Sequence, residues 1–482
     1  AVGPCEEING AQYPWGWLKP EYKMDAWKSP KLIDRGKPRG WHNPNTFWML
    51  TPRQIPPLEE SLQRTAVIRR AEGVDAHNGF LTGQQPLQIP ANTKASILLD
   101  NTMLTTAYPE FLLSGGADAT MKLSYAEAMK TPDLQKVHRD SIDNLILWGY
   151  YDIWHLEGGE ERFYVPLWFR TYRYLQIDIE TNDDPLTIHE FYSFFTAYPF
   201  EQNASFESSD PSLQQVWDVG WRTARLCAGE TYFDCPYYEQ LQYVGDTRIQ
   251  ALISLYVSGD DRLMRKAIQL FDDSRRPDGL TSSRYPTNLP QIIPPYSLFW
   301  ISMIHDYWMF RQDDDFVSSF LLGIQGVLHW YEQRIDDTGM LGPMAHWNFV
   351  DWPDEWAWDS VADIGGVPPG AENGHSSVIT FQYIYVLQQA VELLENYGKT
   401  RVADHYRELG ALLKKAVRTH CWDHDRQLYA DTPQKNSYSQ QGNVTAVLVD
   451  MAPEGEEADF LWRVINDTSL TQNTFYYQFY TF

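Results

Sequence analysis

The spacing of apolar residues along this chain changes near residue 205 from a period of two to a period of 3.6. Before that point Met121, Leu123 and Tyr125 alternate with polar residues, and a long strand is predicted from Phe163 to Ile179. Gly115-Gly116 and Asn182-Asp183-Asp184-Pro185 supply turns. After it, Asp210-Pro211 places a capping acid ahead of a first-turn proline, and Leu213, Val216, Trp217 and Gly220 follow at helical spacing. A second helix is predicted to open at Asp246, with Ile249, Leu252, Ile253 and Tyr256 on one face and a stop at Gly259. Further helical patterns begin near Asp260, Pro295, Asp313, His375, Thr400, Ser439, Gly455 and Asn473. Such a chain does not build alternating βα units. It predicts a β-sandwich over residues 61–204 and an all-α domain over residues 205–482.

The number and pairing of the helices predict a ring of helical hairpins, an (α/α)6 toroid. The last pattern, Asn473 to Phe482, is still apolar at its final residue and shows no Gly, Asn or Pro stop. The ring is therefore expected to be incomplete in this chain by about two helices. Residues 1–60 carry Trp15, Trp17, Trp27, Trp41 and Trp48 among many prolines and glycines. They read as an irregular segment, the tail of a preceding domain.

With 482 residues the chain is long enough for two or more domains. A net charge of −25 argues against nucleic acid as a partner, because phosphates would be repelled. No apolar run reaches the roughly 18 residues of a membrane span. Cys5, Cys227, Cys235 and Cys421 form neither a C-x-x-C pair nor a zinc spacing. Free buried thiols are expected, with a Cys227–Cys235 disulfide as the alternative. Aromatic residues are abundant: 19 Trp, 29 Tyr and 22 Phe. Most belong in a core, but Trp and Tyr also offer the flat apolar face that a sugar ring can cover.

Two segments carry the chemistry. In Phe233–Asp246 three carboxylates, Asp234, Glu239 and Asp246, lie among Tyr237, Tyr238 and Tyr243 on a short loop. Pro236 keeps a regular helix from running through it. Crowded like charges and apolar rings favour the protonated form of a carboxyl, the state a general acid needs. Asp246 has a second reading as a helix cap, and Asp234 as a turn residue. The other segment, residues 335–374, separates two helices by about forty positions, a length that usually marks function. It contains His346, Trp347, Asp351, Trp352, Asp354, Glu355, Trp356 and Trp358. Acids interleaved with rings make a wall suited to a polar, ring-shaped ligand.

The spacing Asp234-Cys235-Pro236, Glu239, Gly245-Asp246 resembles the catalytic signature of the family 78 glycoside hydrolases, the α-L-rhamnosidases. Met49-Leu50-Thr51-Pro52-Arg53 with Ile55-Pro56, Ser114-Gly115-Gly116, Pro166-Leu167-Trp168-Phe169-Arg170-Thr171 and Val350-Asp351-Trp352 are similar to other family segments. The resemblance implies an inverting hydrolysis of terminal α-L-rhamnose from a rhamnose-containing oligosaccharide or glycoside. It makes Glu239 the general acid. Asp234 and Asp246 would bind sugar hydroxyls, and Asp351 and Trp352 would add further contacts. Tyr243, His346 and Trp347 are candidates from their position in the two segments. The family's general base is a later Glu, and no residue before Phe482 matches it. Many members carry Arg-Asp-Glu-Arg where this chain has Tyr237-Tyr238-Glu239-Gln240, and Gly-Trp where it has Gln242-Tyr243, so sugar specificity stays open. No cofactor is expected, and a structural Ca2+ is left open because its oxygen ligands leave weak sequence marks. An extracellular or periplasmic site follows from the resemblance alone. The competing readings are an exo-glycosidase for another sugar and a carbohydrate-binding protein without catalysis.

Overall fold

The computed structural model describes residues 6–25, 27–38, 48–360 and 364–482. Trp41 and Cys5 lie outside them. The chain divides into two compact units. The first holds the chain to Glu201 together with Ser208–Glu230 and Cys235–Gln240; the second holds Gln202–Glu207, Thr231–Asp234 and Leu241–Phe482.

Among the described residues the first unit contains one ten-stranded sheet. Its strands are β1 (Glu7–Asn9), β2 (Glu59–Gln63), β3 (Val67–Glu72), β4 (Leu87–Ile89), β5 (Lys94–Gly115), β6 (Thr120–Ala126), β7 (Tyr150–His155), β8 (Arg162–Tyr164), β9 (Arg170–Glu180) and β10 (Leu186–Ala197). The 22-residue β5 organises them. Its first half pairs with β9 and β3, and its second half with β10 and β8. Alternate residues point to one side, so Ile97, Leu99, Phe111 and Leu113 share a core with Leu123, Ile177 and Phe191. Register shifts at Tyr172/Tyr174, Ile188/Glu190 and Ile68/Arg70 act as bulges that bend the strands around that core. The two faces expected of a sandwich are thus parts of a single hydrogen-bonded sheet.

The strand predicted from Phe163 to Ile179 is two strands, β8 and β9. Pro166, which has no N–H to donate, lies in the break between them. The start of the chain is less irregular than expected, because β1 adds a parallel edge to β7. Trp15 packs near Trp154, with ring centroids 5.9 Å apart. Buried Arg170 fixes this corner. Its Nε and Nη2 donate to Asp152 at 2.9 Å, and Nη2 also reaches Glu6 Oε1 at 2.9 Å. A buried cation of this kind is tolerated only when paired.

The helix α1 (Pro211–Leu226) starts as its sequence predicts, Asp210 Oδ1 accepting from Ser212 N at 2.9 Å. It clusters with the sheet unit, although its periodicity reads as the first helix of the helical region. The second unit is a succession of helical hairpins: α2 (Val244–Val257) with α3 (Arg262–Asp273), α4 (Pro294–Phe310) with α5 (Leu321–Glu332), α6 (Ser377–Asn396) with α7 (Thr400–Cys421), and α8 (Gln440–Leu448) with α9 (Glu457–Asn466). The helices α2, α4, α6 and α8 pack on one another in that order. They are the more buried series; every residue of α4 from Pro294 to Ile304 is inside. Their partners are amphipathic. In α7 only Ala403, Tyr406, Gly410, Leu413, Ala416, Val417 and Cys421 are buried, a stripe at helical spacing.

Two predicted helices differ. The second opens at Val244 rather than Asp246, because Val244 N already finds Ser283 O at 3.0 Å and Tyr243 takes the extended cap conformation. The tenth, Asn473 to Phe482, is a single 3-10 turn over Tyr477–Tyr480. Its apolar residues Tyr477 and Tyr480 are nevertheless buried. Cys227, Cys235 and Cys421 form no disulfide, so the Cys227–Cys235 alternative is not the one adopted.

Candidate active site

The acid-rich loop is closed at its neck by a reciprocal pair of hydrogen bonds. Asp234 N donates to Leu241 O, and Leu241 N donates to Asp234 Oδ1, each at 2.8 Å. Residues 235–240 are anchored in the sheet unit. Tyr237 is buried there, its hydroxyl donating to Tyr125 O at 2.8 Å and accepting from Tyr150 N at 3.2 Å. Thr171 Oγ1 donates to Pro236 O. Gln240 takes a left-handed backbone (φ 55°) and returns its Nε2 to Pro236 O at 2.8 Å. These ties use the loop's polar groups and leave Glu239 and Tyr238 exposed at its tip. The expectation that neighbouring tyrosines bury Glu239 is therefore corrected: Tyr237 turns into the sheet instead.

In the helical unit Asp246 sits in the first turn of α2, half-buried, where the helix dipole favours an anion. The turn before it is tightly enclosed. A Cβ on Gly245 would lie 2.8 Å from the Tyr476 hydroxyl and 2.9 Å from the Tyr296 ring. Burial, then the negative charge of Asp246, pushes the Tyr296 hydroxyl well above its ordinary range. Tyr296 therefore stays a neutral donor. Tyr243 accepts from Arg284 Nη1 at 2.7 Å and meets the Tyr296 ring edge-on at 6.4 Å. Rings continue from there into the long loop: Tyr296 to Phe349 at 5.9 Å, Phe349 to Trp347 at 5.4 Å and Phe349 to Trp352 at 5.0 Å. Trp352 and Trp358 are each half exposed, so this cluster presents open ring faces.

Interior bonds hold that loop in shape. Asp351 is 1% exposed; its carboxylate accepts from Gln441 Nε2 at 2.8 Å, from Thr474 N at 3.0 Å and from Thr474 Oγ1. Trp347 Nε1 donates to Gly365 O at 2.8 Å. The two ends of the loop meet where His375 Nε2 contacts Asp336 Oδ2 at 2.7 Å. Burial opposes ionisation of Asp336, but Thr338 and His375 overcome it and hold the carboxyl below its ordinary 3.8. A depressed folded pKa contributes stability above about pH 4 that is lost as pH falls through the lowered value. Asp336→Asn should flatten the acid limb of a plot of melting temperature against pH. An unchanged acid limb would show that the tie contributes nothing.

His346 lies apart from this constellation in its electrostatics. It is exposed, in left-handed backbone (φ 73°), and partial burial with Arg276 and Arg334 nearby pushes its pKa down. Tyr296 reads from the sequence as nearer to core than site, and Arg284, Gln441, Thr474 and Tyr476 carry no signal there. They reach the site from remote positions, and no local pattern distinguishes them from core. Among the described residues no group of three or more His, Cys, Asp or Glu is placed to hold a metal ion, and no helix is long and apolar enough to cross a membrane.

The model of the bacterial alpha-L-rhamnosidase 6 hairpin glycosidase domain matches residues 201–475. The chain belongs to this family. The matched range contains each of the rhamnosidase-family site candidates, Asp234, Glu239, Tyr243, Asp246, His346, Trp347, Asp351 and Trp352. Solved structures show the same fold. A GH78 family rhamnosidase of Bacillus sp. GL1 aligns with a TM-score of 0.72 and 24% identity, over 84% of this chain and 42% of that one. A rhamnosidase from Klebsiella oxytoca, with rhamnose bound, aligns with a TM-score of 0.70 and 18% identity, over 87% of this chain and 82% of that one. An N,N'-diacetylchitobiose phosphorylase from Vibrio proteolyticus is 29% identical over 115 residues, 21% of this chain and 14% of that protein. The chain thus spans less than half the length of the Bacillus enzyme and a small part of the phosphorylase.

Proposed function

We propose that this chain carries the sugar site and the general acid of an inverting α-L-rhamnosidase. The observation that carries the reading is the family match across residues 201–475, which includes the closed loop with Glu239 exposed at its tip. Glu239 protonates the departing glycosidic oxygen. An exposed carboxyl suits this step once a bound glycoside covers it, since catalytic contacts often tighten only in the complex. Asp234 and Asp246 accept hydrogen bonds from rhamnose hydroxyls, and Tyr243 and Trp347 line the same surface. Trp352 offers its exposed face to the sugar ring. Asp351 has its oxygens taken by Gln441 and Thr474, so its role is to brace the loop that bears Trp352. An inverting reaction also needs a base roughly 6.5–9.5 Å from the acid to activate water. The succession of hairpins is read as an arc of the (α/α)6 toroid, and the curled sheet as its β-sandwich companion.

Release of nitrophenol from a panel of glycosides tests this directly. The α-L-rhamnoside should be the preferred substrate by at least about tenfold, which about 1.4 kcal/mol of differential binding supplies. Turnover of a different glycoside with none of the rhamnoside would overturn the reading.

A further inference from the structure

Trp168 is an exposed tryptophan that the fold nevertheless holds rigidly. It lies in the break between β8 and β9, 39% exposed. Its indole Nε1 donates to Gln240 Oε1 at 2.8 Å. Its carbonyl accepts from Arg170 Nη1 at 2.7 Å, and Arg170 is itself locked by Asp152 and Glu6. Its ring stacks on Phe169 with centroids 5.1 Å apart and planes 28° apart. Gln240 is the residue after Glu239, and its other amide atom is tied to Pro236 O at 2.8 Å. One short network therefore fixes the Trp168 ring against the loop that carries the acid, all within the sheet unit. Ring faces held in this way lose little freedom when a ligand covers them.

We infer that Trp168 is a specificity-determining platform for the leaving-group side of the glycoside. The inference rests on the proposed role of Glu239. A general acid must touch the oxygen of the bond that breaks, so the group departing with that oxygen is the part of the substrate next to the acid. Tyr238, 42% exposed on the other side of Glu239 in sequence, adds a second ring, with Lys136 Nζ over its face 5.8 Å from the centroid. The matching leaving group is a sugar ring or aryl group with a flat apolar face. Rhamnose itself is bound through other residues, so Trp168 should discriminate among aglycones and not among terminal sugars.

Calorimetry in the Glu239→Gln background, which keeps the substrate intact, provides the test. L-Rhamnose and an α-L-rhamnosyl-glucose disaccharide are titrated into that parent and into the same protein with Trp168→Ala or Trp168→Phe. The parent should bind the disaccharide tighter than rhamnose. Trp168→Ala should weaken the disaccharide by about tenfold, within the range reported for loss of an aromatic contact, with rhamnose unchanged within about twofold. Trp168→Phe keeps a ring to stack on Phe169 and should fall between; it also serves if the alanine variant does not fold. Equal weakening of both ligands, or of neither, would overturn the platform. If neither ligand binds the parent, the rhamnoside reading fails, and the platform with it.

Discussion

Glu239→Gln is expected to lower kcat on an unactivated rhamnosyl disaccharide by about 10²–10⁴-fold, the usual contribution of a positioned general acid. The amide keeps the size of the side chain and its place at the loop tip but has no proton to give. The neck bonds of the loop run through Asp234 and Leu241, and its anchor through Tyr237, so the substitution leaves the scaffold intact. Rhamnose should bind within a few-fold of the parent. The p-nitrophenyl rhamnoside should lose much less, because nitrophenolate departs with little protonation. That contrast separates an acid from a residue that merely supports the site. Equal loss on both substrates, or full activity on both, would remove Glu239 from the role.

Breaking the buried pair between α2 and α4 is expected to have the largest effect on stability. Arg248 donates Nε to Asp306 Oδ2 at 2.7 Å and Nη2 to Oδ1 at 3.2 Å, and its side chain is only 3% exposed. Burial works against its charge; Asp306 and the hydroxyls of Tyr480 and Tyr385 restore it. Asp306→Ala should cost about 3–5 kcal/mol, since it strands a cation in the interior. Arg248→Met with Asp306→Leu should recover most of that loss, because apolar groups need no partner. Urea unfolding of the two variants measures both values. A single substitution costing under about 1 kcal/mol would mean that water reaches the pair.

The helices were legible because caps and helical spacing are local signals, but the stripes named from the sequence are not the buried faces: Leu213 and Val216 are exposed in α1, and in α2 Tyr256 is exposed while Thr247, Arg248 and Ala251 are buried. Asp210, Pro211 and Ser439 mark helix starts by chemistry that acts over three or four residues. Boundaries set by remote partners were not legible. Val244 joins α2 because the carbonyl of Ser283 is there to receive its N–H. Asn473–Phe482 forms only one short turn, although Tyr477 and Tyr480 are buried. The register shifts that bend the sheet do break the alternation, as where buried Leu186 and Ile188 give way to buried Phe191 and Ser193, but one such break does not by itself announce a bulge.

The sequence by itself placed three carboxylates, a proline and interleaved rings within fourteen positions, and it is the resemblance of that spacing to the family signature that implied the class of chemistry. Tertiary structure decided which of these groups face solvent and which are spent on holding the fold. Tyr237 turns inward to the Tyr125 carbonyl, Asp351 is held by Gln441 and Thr474, and Glu239 lies at the exposed surface. The physical reason is that hydrogen-bond partners distant in sequence compete for the same polar atoms, and only the folded chain brings them within reach.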